Sequence, residues 1–480
     1  MVNWCGCKTP MANIYKFSIL TIVAGLAGCT QAPEYHPPVI DAPAAFKEAG
    51  PWVPAMPAAP APTDQWWQAF GDPVLDRLEA QIDTANPTLS EALGRYDAAR
   101  AYLGEARSQL YPSLGLGAQP TENRQSNTRP LRGSNQPDLY AADTMGGSFG
   151  YELDLWGRVR NEVAANRADV AASADDVAAI RLSLEAELAT DYIALRGLDQ
   201  EIDLLTRTVD AYAKADALTH RRFVGGIANG IDVARSGTQL SDAQAQLADA
   251  SSARALLEHA IASLIGTPAS SFSIATSNVT LTLPGIPLGL PSTLLQRRPD
   301  VAAAERRMYV ANRGVGIARS AFFPSISLGG IGGFQSTALS SLIAAPNIFW
   351  SVGPNILVNL FDGGKRRARV ALAGSEWTQA TSRYRETVLI AFQQVEDGLS
   401  KLHHLGDESA AERRAAIHAD EAEALAYNRY VKGASNYLDV VIAQTAALTV
   451  SKRSIQIETS RLEANVSVLR ALGGGWQRAA

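Results

Sequence analysis

The chain has 480 residues, a formal net charge of −5 and 46% hydrophobic side chains, many of them alanine. An acidic balance excludes nucleic acid as a partner, since such partners select basic surfaces. The only cysteines are Cys5, Cys7 and Cys29, which excludes a disulfide framework in the body of the protein, and past the N-terminus no apolar run reaches the roughly 18 residues of a membrane-spanning helix.

Residues 1–28 read as an export signal. Lys16 precedes an apolar stretch, Phe17 to Leu26, and small residues follow, the order of a secretory signal. Residues before Met11 do not fit that order, so Met11 is an alternative start. The stretch ends in Leu26-Ala27-Gly28-Cys29. One reading is an ordinary signal with an incidental cysteine. The other is a lipobox, in which the Cys29 thiol takes a covalent lipid and becomes the first mature residue. Thr30, rather than Asp, after that cysteine favours the outer membrane. Residues 29–62 form the lipid-anchored tether, with nine prolines between positions 32 and 62, a composition for extended chain without helix or core.

The body is written twice. Ala106-Arg107-Ser108 and Pro112-Ser113-Leu114 return as Ala318-Arg319-Ser320 and Pro324-Ser325-Ile326, 212 residues on. Arg222-Phe223-Val224-x-Gly226 through Asp232-Val233 returns as Arg429-Tyr430-Val431-x-Gly433 through Asp439-Val440, 207 residues on. A period this long is a duplicated half, not a solenoid repeat of about 20–50 residues. The halves are 63–290 and 291–480. The first holds a helix at 86–110, a β-hairpin at 113–155, a long helix at 157–222 and a helix at 231–266. The second holds a helix at 298–322, a β-hairpin at 325–361, a long helix at 363–430 and a helix at 438–472.

The strands rest on alternation. Met145, Gly147, Phe149, Tyr151, Leu153 and Leu155 share one face; Ser148, Gly150, Glu152 and Asp154 share the other. Ile348, Trp350, Val352, Ile356, Val358 and Leu360 oppose Ser351, Gly353, Asn355 and Asn359. The polar segment 122–140 suits an external loop. A soluble sheet would satisfy the same alternation. Four strands cannot close a membrane barrel, which needs about eight, and an open edge is not stable in lipid. If these strands span a membrane, several chains must complete one barrel.

The long helix 157–222, at 66 residues, would extend roughly 100 Å. Val163, Val170, Val177 and Leu184 step by seven, as do Val370, Trp377, Tyr384 and Ala391, the spacing of supercoiled helices. The helices 231–266 and 298–322 together nearly match its length, so two short helices stacked end to end can lie beside one long one. The distal turns, at Gly226 and Gly433, then fall about 100 Å from the strands. Segment 267–297, rich in Ser, Thr, Pro and Leu, bulges where the short helices meet.

No catalytic constellation is present. The histidines are His36, His220, His259, His403, His404 and His418, without metal-ligand spacing; His403, His404 and His418 sit in a charged, solvated helical stretch. Gly329-Gly330-Ile331-Gly332-Gly333 lacks the Lys-Ser/Thr partner of a phosphate loop. The reading is a non-enzyme with no metal and no cofactor beyond the lipid on Cys29.

The chain resembles the outer-membrane efflux lipoproteins related to TolC and OprM, the exit ducts of tripartite drug pumps. The lipobox at Cys29, Trp66-Trp67 with Gly71-Asp72-Pro73, Arg297-Arg298-Pro299-Asp300-Val301, Phe361-Asp362-Gly363-Gly364 and Leu472-Gly473-Gly474-Gly475-Trp476 carry the likeness across nearly the whole mature chain. The resemblance implies a mixed α/β membrane protein: a homotrimer with a long periplasmic α-helical barrel, four transmembrane strands per chain closing a 12-stranded barrel, and an equatorial girdle including segment 267–297 and the C-terminus. It implies an outer-membrane address in a Gram-negative bacterium, a periplasmic adaptor protein and an inner-membrane pump as partners, and drugs or other small toxic compounds as cargo. It also places a periplasmic gate beyond the distal turns. Asp439 matches the family's first acidic gate position and Ile442 replaces the second; Asp232 and Arg235 are the first-half counterparts. Asp439 has two readings, an acidic ring across three copies or a helix N-cap. A duct for secreted peptides or proteins, and a lipid-anchored scaffold without a pore, are the alternative functions.

Overall fold

A computed structural model describes residues 30–41, 43, 45–48, 65–129, 137–286 and 297–476. Cys29, residues 1–28 and most of the proline-rich stretch lie outside the described residues.

In chain order the elements are α1 (Pro73–Ala85), α2 (Pro87–Ser108), β1 (Ser113–Gln119), β2 (Glu122–Arg124), β3 (Leu139–Ala141), β4 (Asp143–Glu152), α3 (Arg158–Val224), α4 (Gly230–Leu264), α5 (Pro299–Ser320), β5 (Ser325–Ser336), β6 (Ile348–Leu357), α6 (Lys365–Val431) and α7 (Tyr437–Ala471). The duplication is visible residue for residue. The helices α3 and α6 have 67 residues each, α4 and α7 have 35 each, and α2 and α5 have 22 each. Three features differ from the sequence expectation. The helix expected at 86–110 is α2, but a further helix, α1, precedes it and was not expected; the two are separated at Asn86 because Pro87 disfavours helical backbone at the residue before it. Segment 122–140 is not plain loop but carries the small β2–β3 ribbon. Finally, the described residues between 30 and 48 have neither helix nor strand, yet they are held against the body. Thr30 Oγ1 donates to Asn161 Oδ1 at 3.1 Å, the Tyr35 ring meets Tyr309 edge-on at 5.0 Å, and the Glu396 carboxylate accepts the backbone N–H groups of Lys47 and Glu48.

Two compact units divide the chain, with boundaries inside α2, α3, α5 and α6. The first unit holds all six strands. The main sheet runs β1-β4-β5-β6, antiparallel throughout, so its central seam joins a strand of one half to a strand of the other. That seam explains the glycine run. Gly146, Gly147 and Gly150 face Gly333, Gly332 and Gly329, and a Cβ on Gly333 would fall on the Met145 carbonyl. Among the described residues, the outer edges of β1 and β6 have no strand beside them.

The second unit is built on a core of Trp66, Trp67, Phe70, Leu75, Leu78 and Ile82 packed against Leu188, Tyr192, Ile193 and Leu195 of α3. The heptad positions Leu184, Tyr384 and Ala391 are buried, as expected of seams between helices. No helix among the described residues is long and apolar enough to cross a membrane.

Candidate functional site

The first unit presents one apolar sheet face to the outside. On β6, Trp350 is 75% exposed and Ile356 62%; on β1, Leu114 is 83% exposed. Ile348 and Val352 lie on the same β6 face and are also exposed. A sheet with a helical layer over it would bury such a face; a sheet in lipid would not. The opposite β6 face carries Ser351, Gly353 and Asn355 in its middle, with Phe349 and Leu357 towards its ends.

Each hairpin hands over to its long helix through a carboxylate. Asp154 accepts the backbone N–H groups of Val159 and Arg160 at 3.1 and 2.9 Å. Asp362 likewise accepts those of Gly364 and Arg366 at 3.0 and 3.2 Å, and the Arg366 guanidinium at 2.6 Å. The first elbow is further braced by Trp156, stacked on Phe323 at 4.6 Å and donating to the Pro324 carbonyl at 2.8 Å. Arg158 pairs there with Glu152 and Glu162.

At the far end of the long helices, in the second unit, the two turns are built alike. Gly226 and Gly433 sit at φ +75° and +76°, where a side chain would be strained. The Ile227 N–H reaches back to the Arg222 carbonyl and the Ala434 N–H to that of Arg429, both at 2.8 Å, the helix stop that a left-handed glycine permits. The following helices are capped by asparagine: Asn229 Oδ1 accepts the Asp232 N–H at 2.9 Å and Asn436 Oδ1 that of Asp439 at 3.2 Å. Asp439 is therefore not the cap. Its side chain is exposed one turn into α7, as is that of Ile442 further along, while Asp232 and Arg235 are half-buried on α4. A carboxylate in a first helical turn is favoured by the helix dipole.

The duplicated turns differ where they hold the halves together. Tyr430 and Tyr437 are buried edge-to-face at 5.2 Å, whereas their counterparts are Phe223, exposed, and Gly230. Arg222 stacks over the Tyr430 ring at 4.5 Å and donates to the carbonyls of Tyr430 and Val431 at 2.9 and 2.8 Å, satisfying the open end of α6. Burial, with the negative field of Tyr430, Asp216, Tyr427 and Asp232, pushes the Tyr437 hydroxyl up to about 12. Arg222 and the tyrosine pair were not singled out from the sequence; the substitution of Tyr430 for Phe223 within the repeat was the available signal.

The sequence motifs near residues 66–73 and 297–301 and at the C-terminus prove to be structural pins of the second unit. Asp72 caps α1 through the Val74 N–H at 2.7 Å and accepts the Tyr192 hydroxyl at 2.6 Å. Arg196 donates to Tyr192 Oη at 2.9 Å, Asp199 at 2.7 Å and the Ala275 carbonyl at 2.9 Å. Arg254 holds the other Asp199 oxygen at 2.6 Å. Arg298 joins Asp300, Gln394 and the Ala471 carbonyl. No catalytic arrangement emerges from these contacts.

The family model described as outer membrane efflux protein matches residues 80–267 and 290–474. Outer membrane protein OprJ of Pseudomonas aeruginosa is 33% identical over 465 residues, covering 96% of this chain and 96% of that one. Toluene efflux pump outer membrane protein TtgC of Pseudomonas putida is 29% identical over 453 residues, covering 94% and 93%. The solved structure of the outer-membrane channel OprN superposes with a TM-score of 0.87 at 28% identity, covering 94% of this chain and all of that one.

Proposed function

The chain belongs to the outer membrane efflux protein family, and from that premise we propose that it is the exit duct of a tripartite efflux system, a homotrimer that receives drugs or other small toxic compounds from an inner-membrane pump through a periplasmic adaptor. The observation that carries this reading is the exposed apolar face of a four-stranded sheet whose two edges stay open. Neither exposed apolar strands nor free edges are stable alone, and three copies placed edge to edge remove both faults in a barrel surrounded by lipid. The long helices supply a wall on the periplasmic side, and the exposed Asp439, three times repeated, rings its far end next to Ile442.

Lipidation at Cys29 belongs to the same proposal. The next residue, Thr30, is hydrogen-bonded to Asn161, near the start of α3 and nine residues past the last residue of β4. An acyl chain on Cys29 would thus enter the membrane beside the strands. A lipid of this kind adds about 0.8 kcal/mol for each buried methylene.

Deleting the gene in its native host, with the cognate pump present, is expected to raise sensitivity to at least one amphiphilic compound, restored by the wild-type chain. Unchanged resistance across a broad panel would refute the duct.

A further inference from the structure

The second unit contains a cavity of about 970 Å³ that the duct function does not use. One wall is α1, which contributes Asp76, Glu79 and Asp83 at helical spacing; the facing wall is α3, with Val177, Arg181 and Glu185. Trp67, Leu182 and Trp476 add apolar and aromatic surface.

Glu79 is the anomaly. It is only 2% exposed, and neither carboxylate oxygen has a hydrogen-bond partner; one oxygen of Asp76 is buried in the same condition. The cation on this wall, Arg181, is already committed, since it pairs with Asp83 at 2.8 Å. Glu185 accepts the Trp66 indole N–H at 3.3 Å. Burial, and then the charges of Glu185, Asp76 and Asp83, hold the Glu79 carboxyl well above the usual carboxylate range. A buried acceptor without a donor is costly, and native proteins rarely keep one without a use.

The shape of the cavity selects the occupant. A bare metal ion needs converging oxygens at about 2.0–2.6 Å from the ion. Among the described residues, these carboxylates do not converge into a three-ligand set; the set that does is His403, His404 and Asp407, elsewhere on α6. A ligand that brings its own N–H donors and spans a wider gap fits better. Indole faces attract cations, and the volume is that of a small-molecule pocket.

We propose that this cavity is a binding site for an organic cation, an ammonium, amidinium or guanidinium borne on an apolar body, with Glu79 as its buried counter-ion. The cationic head donates to the orphaned Glu79 and Asp76 oxygens, and the apolar body lies along Trp67, Leu182 and Val177. Binding competes with the proton on Glu79, so it strengthens as pH rises. The inference does not rest on the duct reading, and its test reads binding rather than efflux, so the two can fail separately.

The test uses the full-length protein in detergent and calorimetric titration with benzamidine, an aromatic amidinium, against benzamide, its neutral analogue. Saturable benzamidine binding, at least tenfold weaker in Glu79→Gln, with benzamide failing to compete, is the expected result. Ala178→Leu, which narrows the cavity from α3 while leaving the carboxylate intact, is expected to weaken binding as well; it guards against a folding defect in the first variant. No binding at millimolar benzamidine, as when a second copy of the chain fills the cavity, overturns the proposal. So do equal affinities for wild type and Glu79→Gln, or equal binding of benzamide.

Discussion

If the apolar face of β6 lies in lipid, an arginine there and an arginine one residue away must behave differently. The strand has 10 residues, Ile348–Leu357, close to the roughly 9–11 needed to cross a bilayer. Val352 is its fifth residue and therefore sits near the midplane, on the exposed face with Trp350 and Ile356. Arginine on the lipid face of a barrel costs about 2–4 kcal/mol at that depth. Three copies in one barrel multiply this to about 6–12 kcal/mol per assembled trimer. Ser351→Arg, on the face shared with Gly353 and Asn355, would point into an aqueous lumen, where such a charge costs little. The assay is the yield of heat-modifiable trimer in outer-membrane fractions, followed by conductance in planar bilayers. Val352→Arg is expected to abolish trimer, and Ser351→Arg to assemble and change ion selectivity. Wild-type assembly of Val352→Arg, or equal loss in both variants, would refute the placement of this face in the membrane.

Arg196→Met removes three hydrogen bonds at a buried hub and leaves Asp199 with Arg254 and the Ser277 N–H. A loss of about 3–5 kcal/mol is expected, read as faster proteolysis within residues 272–277, the stretch that Arg196 and Arg254 tie down through the Ala275 and Ile274 carbonyls; unchanged cleavage would show that the hub does not secure it. Asp439→Ala trimers are expected to lose cation preference in planar bilayers, and unchanged selectivity removes Asp439 from the gate. Glu79 gives a pH signature in the absence of ligand. Burial raises its carboxyl well above the usual carboxylate range in the folded protein, so the fold is penalised as pH climbs above the unfolded value and towards the folded one. Glu79→Gln removes this slope, so relative to wild type it gains stability between acidic and neutral pH, measured as denaturant midpoints at a series of pH values. Parallel pH profiles would mean that Glu79 is already neutralised by a partner.

What the sequence disclosed follows from the range of the forces involved. Helices of 67 and 35 residues and the main strands were legible because periodicity and turn glycines are local signals, and the repeat allowed each half to check the other. The break at Asn86-Pro87 is local too and falls where a helix was expected to begin; the 13-residue α1 before it is what the sequence reading left out. The pins were not legible. Tyr192 meets Asp72 across 120 residues and Arg222 meets the Tyr430 carbonyl across 208, and nothing in either neighbourhood of the chain announces its partner. Asp439 shows a finer limit: a carboxylate three residues past an Asn turn reads equally as cap or as free charge, and only the observed Asn436 hydrogen bond assigns the cap elsewhere. Glu79 is the converse case. It follows Leu75 and Leu78 and precedes Ile82 on the buried face of α1, where the local pattern asks for an apolar side chain. A residue that violates the pattern of its own helix, is buried, and is given no partner by the fold has lost stability without any visible structural return. The same reasoning that makes the surrounding leucines core residues therefore makes this glutamate a candidate for function.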